Sequence, residues 1–370
     1  MNFIINLINF FRVKKKLKQL NLHFFSDGVV KNLENVENLN LKKKIAEEIL
    51  RFNKNCDLFY NNIDVNEKLK PSGLWKDYFI KNKKEQIEVY NKANINEIIL
   101  LHENMFYNSL LRGLWNYTHF ENIKKDHSSI MLFLKDLSLY NIIFSGYFGL
   151  SSSNKLRKWG YKAKSEKFHF LDISSKLQNY HILNSLNLLK QKKKFDILEI
   201  GGGFGSLAER MFEDEKINSF TIIDIPSTLL IAYYYLSSKF GYEKVEILNS
   251  KKDVELKYKI KDKKIFLIPS GLFDVIDKDI ELDLICNFAS FSEMGYDTVK
   301  YYLENIPNKI KIIVSSNSNL NMNSDDKKKH QEILIDNFPV PKTFTKCFST
   351  VQIPFFSNWR YKTQVWVKNN

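Results

Sequence analysis

The spacing of hydrophobic positions changes near residue 170. Before it, apolar residues recur every three or four positions over 41–61 and again over 85–115. Leu41, Ile45, Ile49 and Phe52 form one stripe; Ile98, Leu101, Met105 and Leu110 lie in another. That period marks one buried face of a helix. Pro71-Ser72-Gly73 breaks the pattern between the two stripes. A loop over 146–153 leads to a short predicted helix over 154–160, and a further helix is predicted over 174–190. Beyond residue 195, short apolar runs alternate with helical stretches. Strands are predicted over 195–200, 219–224, 244–248, 264–268, 282–288 and 309–315, with helices over 206–212, 227–240 and 298–305. Such alternation predicts a doubly wound parallel sheet. The runs 342–351 and 360–367 read as an antiparallel pair closing it. The expectation is an α/β fold, with a mostly helical N-terminal domain over 1–170 and the sheet domain over 171–370.

Candidate chemistry concentrates at the first strand. Glu199-Ile-Gly201-Gly-Gly203-Phe-Gly205 runs straight into Ser206-Leu-Ala-Glu-Arg-Met. A strand, a glycine turn and a helix N-terminus in that order make a nucleotide-sized pocket at the strand's carboxyl end. The dinucleotide fingerprint Gly-x-Gly-x-x-Gly is not met, because Ser206 or Ala208 falls at its third glycine. The spacing is Gly-x-Gly-x-Gly with Glu199 before it, which resembles the first motif of class I S-adenosylmethionine (SAM) methyltransferases. An acid suits the cationic amino-acid tail of SAM, which carries no pyrophosphate. The next strand ends on Asp224-Ile225-Pro226. An acid about 20 residues past the turn can accept from both ribose hydroxyls; the alternative is that Asp224 caps the following helix.

Two later segments would face the same edge of the sheet. Pro269-Ser270 follows the strand over 264–268 and could contact an adenine. Asn287-Phe-Ala-Ser290-Phe291-Ser292-Glu293-Met294 follows the strand over 282–288. Taken with Glu199 to Gly205, these segments occur in the order typical of the bacterial sugar O-methyltransferase family, which the chain resembles well from about residue 170 onward and only loosely before it. The resemblance implies a Rossmann-like class I methyltransferase sheet with an antiparallel last strand, and SAM as cofactor. It implies SAM contacts at Glu199, Gly201, Gly203, Gly205, Asp224, Ile225, Pro269, Ser270 and Asn287. The acceptor it implies is a sugar hydroxyl, on a nucleotide-sugar or a lipid-linked glycan, in bacterial capsule or O-antigen synthesis.

Methyl transfer to a hydroxyl requires alignment and removal of the acceptor's proton. Glu293 is the first candidate base, with His181 and His119 behind it; each histidine also reads as an ordinary structural residue. Glu293 and Asp297 alone make a poor metal set, so no metal is expected. Trp75, Trp115, Trp159 and the run Tyr233-Tyr234-Tyr235 offer faces on which a sugar could stack, although burial is the commoner fate of the tyrosines. The helical domain is expected to cover the cleft, select the substrate and support oligomerisation.

Composition bounds the partners. With 44% apolar and 14% aromatic residues the chain can build cores in both halves, which excludes disorder as the default. The net charge of +14 suits an anionic partner, although richness in both Lys and Asn, as AT-rich coding produces, gives the same excess. An RNA methyltransferase is therefore an alternative, but no RNA-binding module is recognisable and a nucleic acid partner is not expected. A SAM-binding scaffold without transfer is the third reading. Cys56, Cys286 and Cys347 are odd in number and far apart, which argues for a reducing, cytoplasmic setting. No apolar window is long enough to span a membrane. Residues 1–12 are apolar without the leading charge of a signal peptide, and Lys14-Lys15-Lys16 follows them. Such a helix can lie on the inner membrane face; more often it packs on its own domain or on a second subunit of a homo-oligomer.

Overall fold

A computed structural model describes residues 2–61, 65–73, 75–76, 84–111, 130–131, 134, 155–157, 159–163, 166–168, 170–189, 193–258, 263–319, 333–351 and 361–369. The front half begins with α1 (Asn2–Gln19), β1 (His23–Ser26), α2 (Leu39–Asn61), α3 (Lys84–Lys92) and α4 (Ile95–Glu103). The stripe over 85–115 is thus divided. Asn94 starts a new helix through a capping box, its side chain accepting from Glu97 N while Glu97 accepts from Asn94 N, each at 3.0 Å. The stripe on α2 is buried as its spacing requires: Ile45, Ala46 and Ile49 are fully covered.

The helix predicted over 154–160 is corrected. Residues 155–156 form a turn, and Trp159–Ala163 is a strand, β2, paired antiparallel with β1 and with β3 (Glu166–Phe168) in a small separate sheet. Gly160 lowers helix propensity and its aromatic neighbours favour strands, so the partner strand decides the outcome. α5 (Phe170–Leu186) then leads into the main sheet.

The sheet domain runs β4 (Phe195–Ile200), α6 (Ser206–Phe212), β5 (Ile217–Asp224), α7 (Pro226–Phe240), β6 (Val245–Ile247), α8 (Lys251–Lys257), β7 (Lys264–Pro269), β8 (Leu284–Phe288), α9 (Tyr296–Glu304), β9 (Ile312–Ser318), β10 (Phe344–Val351) and β11 (Tyr361–Lys368). Its eight strands lie in the order β10-β11-β9-β8-β4-β5-β7-β6. All neighbours are parallel except that β11 runs antiparallel to both β9 and β10. This is the doubly wound sheet with an antiparallel last strand expected of the class I methyltransferase fold. The chain order reverses between β8 and β5, on either side of β4. A ligand crevice therefore opens at the carboxyl end of β4. The outermost strand, β10, is mostly exposed, and its pairing with β11 shifts register between Lys346 and Phe348.

The front helices pack directly on the helices of the main sheet. α2 lies against α7, whose residues from Pro226 to Ser237 are all buried. A helix apolar all round needs cover on every side, and the run Tyr233-Tyr234-Tyr235 is accordingly core. Polar groups at this junction are paired: Lys42 meets Glu103 at 2.9 Å, and the Tyr234 hydroxyl donates to Glu103 at 2.8 Å. A second crossing is made by Arg157, which donates to Glu209 at 2.9 Å and to the Tyr235 hydroxyl at 2.6 Å, with both charged side chains fully buried. Burial alone would raise the Glu209 carboxyl, but Arg157 first and then Lys239 outweigh it and hold it down to about 2. Removing one partner of such a pair leaves a buried charge, at about 3–5 kcal/mol. Arg157→Met is therefore expected to lower unfolding free energy by about that amount in urea titrations. The depressed carboxyl stabilises the fold above its unfolded value, near 4.5, and that contribution is lost as pH falls toward about 2. The variant should show a weaker acid-side dependence, since Lys239 stays 3.1 Å from Glu209.

At the N-terminus α1 buries Val13 but exposes Ile8, Phe10 and Phe11 beside its lysines. Among the described residues no helix is long and apolar enough to cross a membrane.

Candidate functional site

The glycine turn after β4 sits in a cavity bounded by the carboxyl ends of β4, β5, β7 and β8. Gly201, Gly203, Asp224, Ile225 and Ser270 form one side of it. The turn is pinned by Gly201 N donating to the Ile223 carbonyl at 2.7 Å. Gly201 has φ +74°, and a Cβ there would stand 2.0 Å from Ser290 Oγ. Only glycine lets the turn and the segment after β8 meet so closely.

Asp224 closes the turn from β5. One carboxylate oxygen accepts from Gly203 N at 2.8 Å, the other from Ile225 N at 2.7 Å. Ile225, not Asp224, occupies the N-cap of α7, with Pro226 following, so the capping alternative does not describe this residue. A carboxylate can accept about four hydrogen bonds, and the two backbone bonds account for two of them. Ser270, also facing the cavity, has a buried hydroxyl with no hydrogen-bond partner.

Glu199 lies beneath the turn rather than in the cavity wall. Its Oε2 is 2.7 Å from where a Cβ of Gly202 would be, and that oxygen is buried without a partner. Burial, and then the charge of Asp224, push its carboxyl up to about 8. An orphaned buried acid under a glycine turn fits a cationic ligand group above it. The native chain thus keeps a proton that the unfolded chain loses near 4.5, so this residue makes stability fall as pH rises from about 5 to 8. Urea denaturation of Glu199→Gln at a series of pH values should show a flatter profile over that window.

The other side of the cavity follows β8. Ala289 carries φ +68°, an uncommon conformation for a residue with a Cβ, and it faces the cavity. This bend carries the chain from Asn287 to the single 3₁₀ turn Phe291–Glu293. Asn287 itself is committed to the floor. Its amide donates to the Ile200 carbonyl at 2.7 Å and to Ser290 Oγ at 2.5 Å, while its oxygen accepts from Phe291 N at 3.0 Å and Asn317 Nδ2 at 2.7 Å. It ties β4, β8 and β9 together below the site and is not among the lining residues.

Glu293 does face the cavity, and the front half meets it there. Leu69, Lys70, Pro71, Ser72 and Trp75 complete the wall. Trp75 Nε1 donates to Glu293 Oε2 at 2.8 Å. Ser72 Oγ accepts from Thr298 Oγ1 at 2.7 Å and from Gly295 N at 3.3 Å. Gly73, at φ +59°, brings its backbone so near that a Cβ would lie 2.5 Å from the Glu293 carbonyl oxygen. The Pro71-Ser72-Gly73 break in the helical pattern is therefore a docking segment. Pro-Ser-Gly was the available signal, but nothing in the sequence names its partner.

The remaining candidates lie elsewhere. Gly205 abuts Leu236 of α7 at the start of α6 instead of the cavity. Pro269 is the last residue of β7, in register with Asp224, and only its neighbour Ser270 lines the site. His181 is on α5, its ring 6.2 Å from Phe348 of β10, and burial lowers its imidazole to about 4. It is not brought to the cavity. His119 and Trp115 lie outside the described residues. Among the described residues no three His, Cys, Asp or Glu side chains gather as a metal set.

No family model matches the chain, and no curated protein matches it. Solved structures similar to it include the magnesium protoporphyrin IX methyltransferase of Synechocystis PCC 6803 with bound SAH, at 9% identity over 56% of this chain and 90% of that one, TM-score 0.35. Another is M. capricolum TrmK in complex with SAH, at 18% identity over 52% of this chain and 68% of that one, TM-score 0.31. The methyltransferase domain of bacterial CtHen1 aligns at 14% identity over 52% of this chain and 100% of that one, TM-score 0.34. Each likeness extends over little more than half of the chain, whose fold is defined by its own strand order.

Proposed function

We propose that the chain is a SAM-dependent O-methyltransferase whose acceptor is a sugar hydroxyl. The observation that carries this reading is one cavity with an unpartnered buried acid, Glu199, below the glycine turn, the Asp224 carboxylate beside that turn, and Glu293 in the same lining. Glu199 would balance the ammonium of SAM, Gly201 and Gly203 would let it approach, Asp224 would hold the ribose hydroxyls, and Ser270 would meet the adenine. Bound there, SAM supplies a methyl group already activated on sulfonium. Glu293 would take the proton of the acceptor hydroxyl as that oxygen attacks the methyl group. Alignment of acceptor and methyl contributes about 7–11 kcal/mol in well-oriented systems, and here the walls of the cavity provide it.

The aromatic and polar character of the lining near the acid, with Trp75 bonded to Glu293 and Ser72 in the same lining, supports a sugar ring as acceptor. In this reading residues 1–170 cover the cleft, 171–370 bind SAM, and the product belongs to a bacterial capsule or O-antigen. Exposed Phe11 and Ile8 beside the lysines of α1 favour a peripheral place at the inner membrane face, where a lipid-linked acceptor would lie. The test is incubation of the purified chain with methyl-labelled SAM and a cell extract. Label in nucleotide-sugars or glycolipid supports the proposal. Label released by nuclease would transfer it to RNA, as the net charge of +14 would suit. Binding of SAM without transfer to any fraction would leave a scaffold.

A further inference from the structure

Glu293 stands on a single 3₁₀ turn and carries a long side chain, so its own backbone does little to fix its carboxylate. One hydrogen bond on it comes from 218 residues earlier in the chain, where the Trp75 indole donates to Oε2 at 2.8 Å. The segment that carries the indole is itself held. Ser72 is bonded to Gly295 N and Thr298 Oγ1, and Gly73 lies backbone against backbone on Glu293, so the docking segment straddles the turn that bears the acid. A hydrogen bond to one carboxylate oxygen restrains the rotation of the group and so the position of the other oxygen.

We propose that Trp75 is a positioning residue: its indole N–H, delivered by the docking segment, orients the Glu293 carboxylate for proton removal from the acceptor. The inference rests on the methyltransferase reading and on Glu293 as its base. It makes the acceptor side of the site a joint product of both halves of the chain, incomplete in the sheet domain alone.

A double-mutant cycle tests it, with labelled SAM and the extract fraction that accepts label as substrates. Trp75→Phe keeps an aromatic ring and removes the donor. It should lower kcat about ten- to a hundredfold, the usual effect of losing a hydrogen bond to a charged group, with the KM for SAM unchanged. In the Glu293→Gln background the same substitution should cost nothing further, since no base remains to orient. An equal loss in both backgrounds would make Trp75 a packing element of the wall and overturn the proposal; full speed in Trp75→Phe would also overturn it. Full speed in Glu293→Gln alone is a different failure, that of the base itself. An independent readout needs no substitution at Trp75. Among the indole N–H resonances of the 15N-labelled intact chain, one should move in Glu293→Gln, and none moving would refute the bond in solution.

Discussion

Glu293→Gln is expected to slow methyl transfer by about 10²- to 10⁴-fold, the contribution of a positioned general base, while SAM affinity stays as it was. The substitution keeps size and an oxygen that can still accept from Trp75 Nε1, so the wall and the docking segment should remain in place. What it removes is the capacity to take a proton. The separation of effects follows from the bonding: Gly203 N and Ile225 N donate to Asp224, and no bond joins Glu293 to the glycine turn among those described. Single-turnover rates with labelled SAM, beside calorimetric titration of SAM alone, measure the two halves of the expectation. An unimpaired rate would remove Glu293 as base. His181 could not replace it without a large rearrangement, since its ring lies against Phe348 of β10.

The second large effect is expected at Asp224. Asp224→Ala should weaken SAM binding about a hundredfold, which corresponds to about 3 kcal/mol, the range for losing hydrogen bonds to a charged group. Two losses combine. The ribose hydroxyls lose their acceptor, and Gly203 N loses the carboxylate oxygen that holds the turn at 2.8 Å. Asp224→Asn separates them, because one side-chain oxygen can still accept from Gly203 N while acceptor capacity and charge are lost. An intermediate affinity for Asn assigns part of the loss to the turn. Affinity equal to the parent chain in both variants, by calorimetry, would place the ribose contact elsewhere.

Much of the sheet domain was legible because glycine and proline punctuate it. Gly201 to Gly205 marks the end of β4, Pro226 the start of α7, and the apolar runs between such marks fall on the strands. The antiparallel closing pair was legible for the same reason. The front half was less so, since its decisive features are contacts with distant segments. Trp159–Ala163 is a strand because β1 is beside it, and helix-compatible residues before it could not reveal that partner. Within the site, residue types carried Asp224 and Glu293 to the cavity, but not the depth at which each residue sits. Glu199 and Asn287 are polar and adjacent to the right strand ends, yet both lie below the cavity. One lacks a partner and the other is saturated with them. That difference depends on β9 and the glycine turn closing from opposite sides, which no local pattern encodes.

The register shift in β10 has a consequence for how the molecule behaves in a crowded solution. An outermost strand offers unpaired N–H and C=O groups to any other extended chain, and exposed apolar residues make such a border a template for aggregation. Phe348 and Val351 are of that kind, 45% and 42% exposed. The extra residue at Cys347 bends the border and breaks its regular row of donors and acceptors, and Lys346 adds a charge where an intruding strand would have to lie flat. The irregularity thus works as a guard against copies of the chain zipping together along β10.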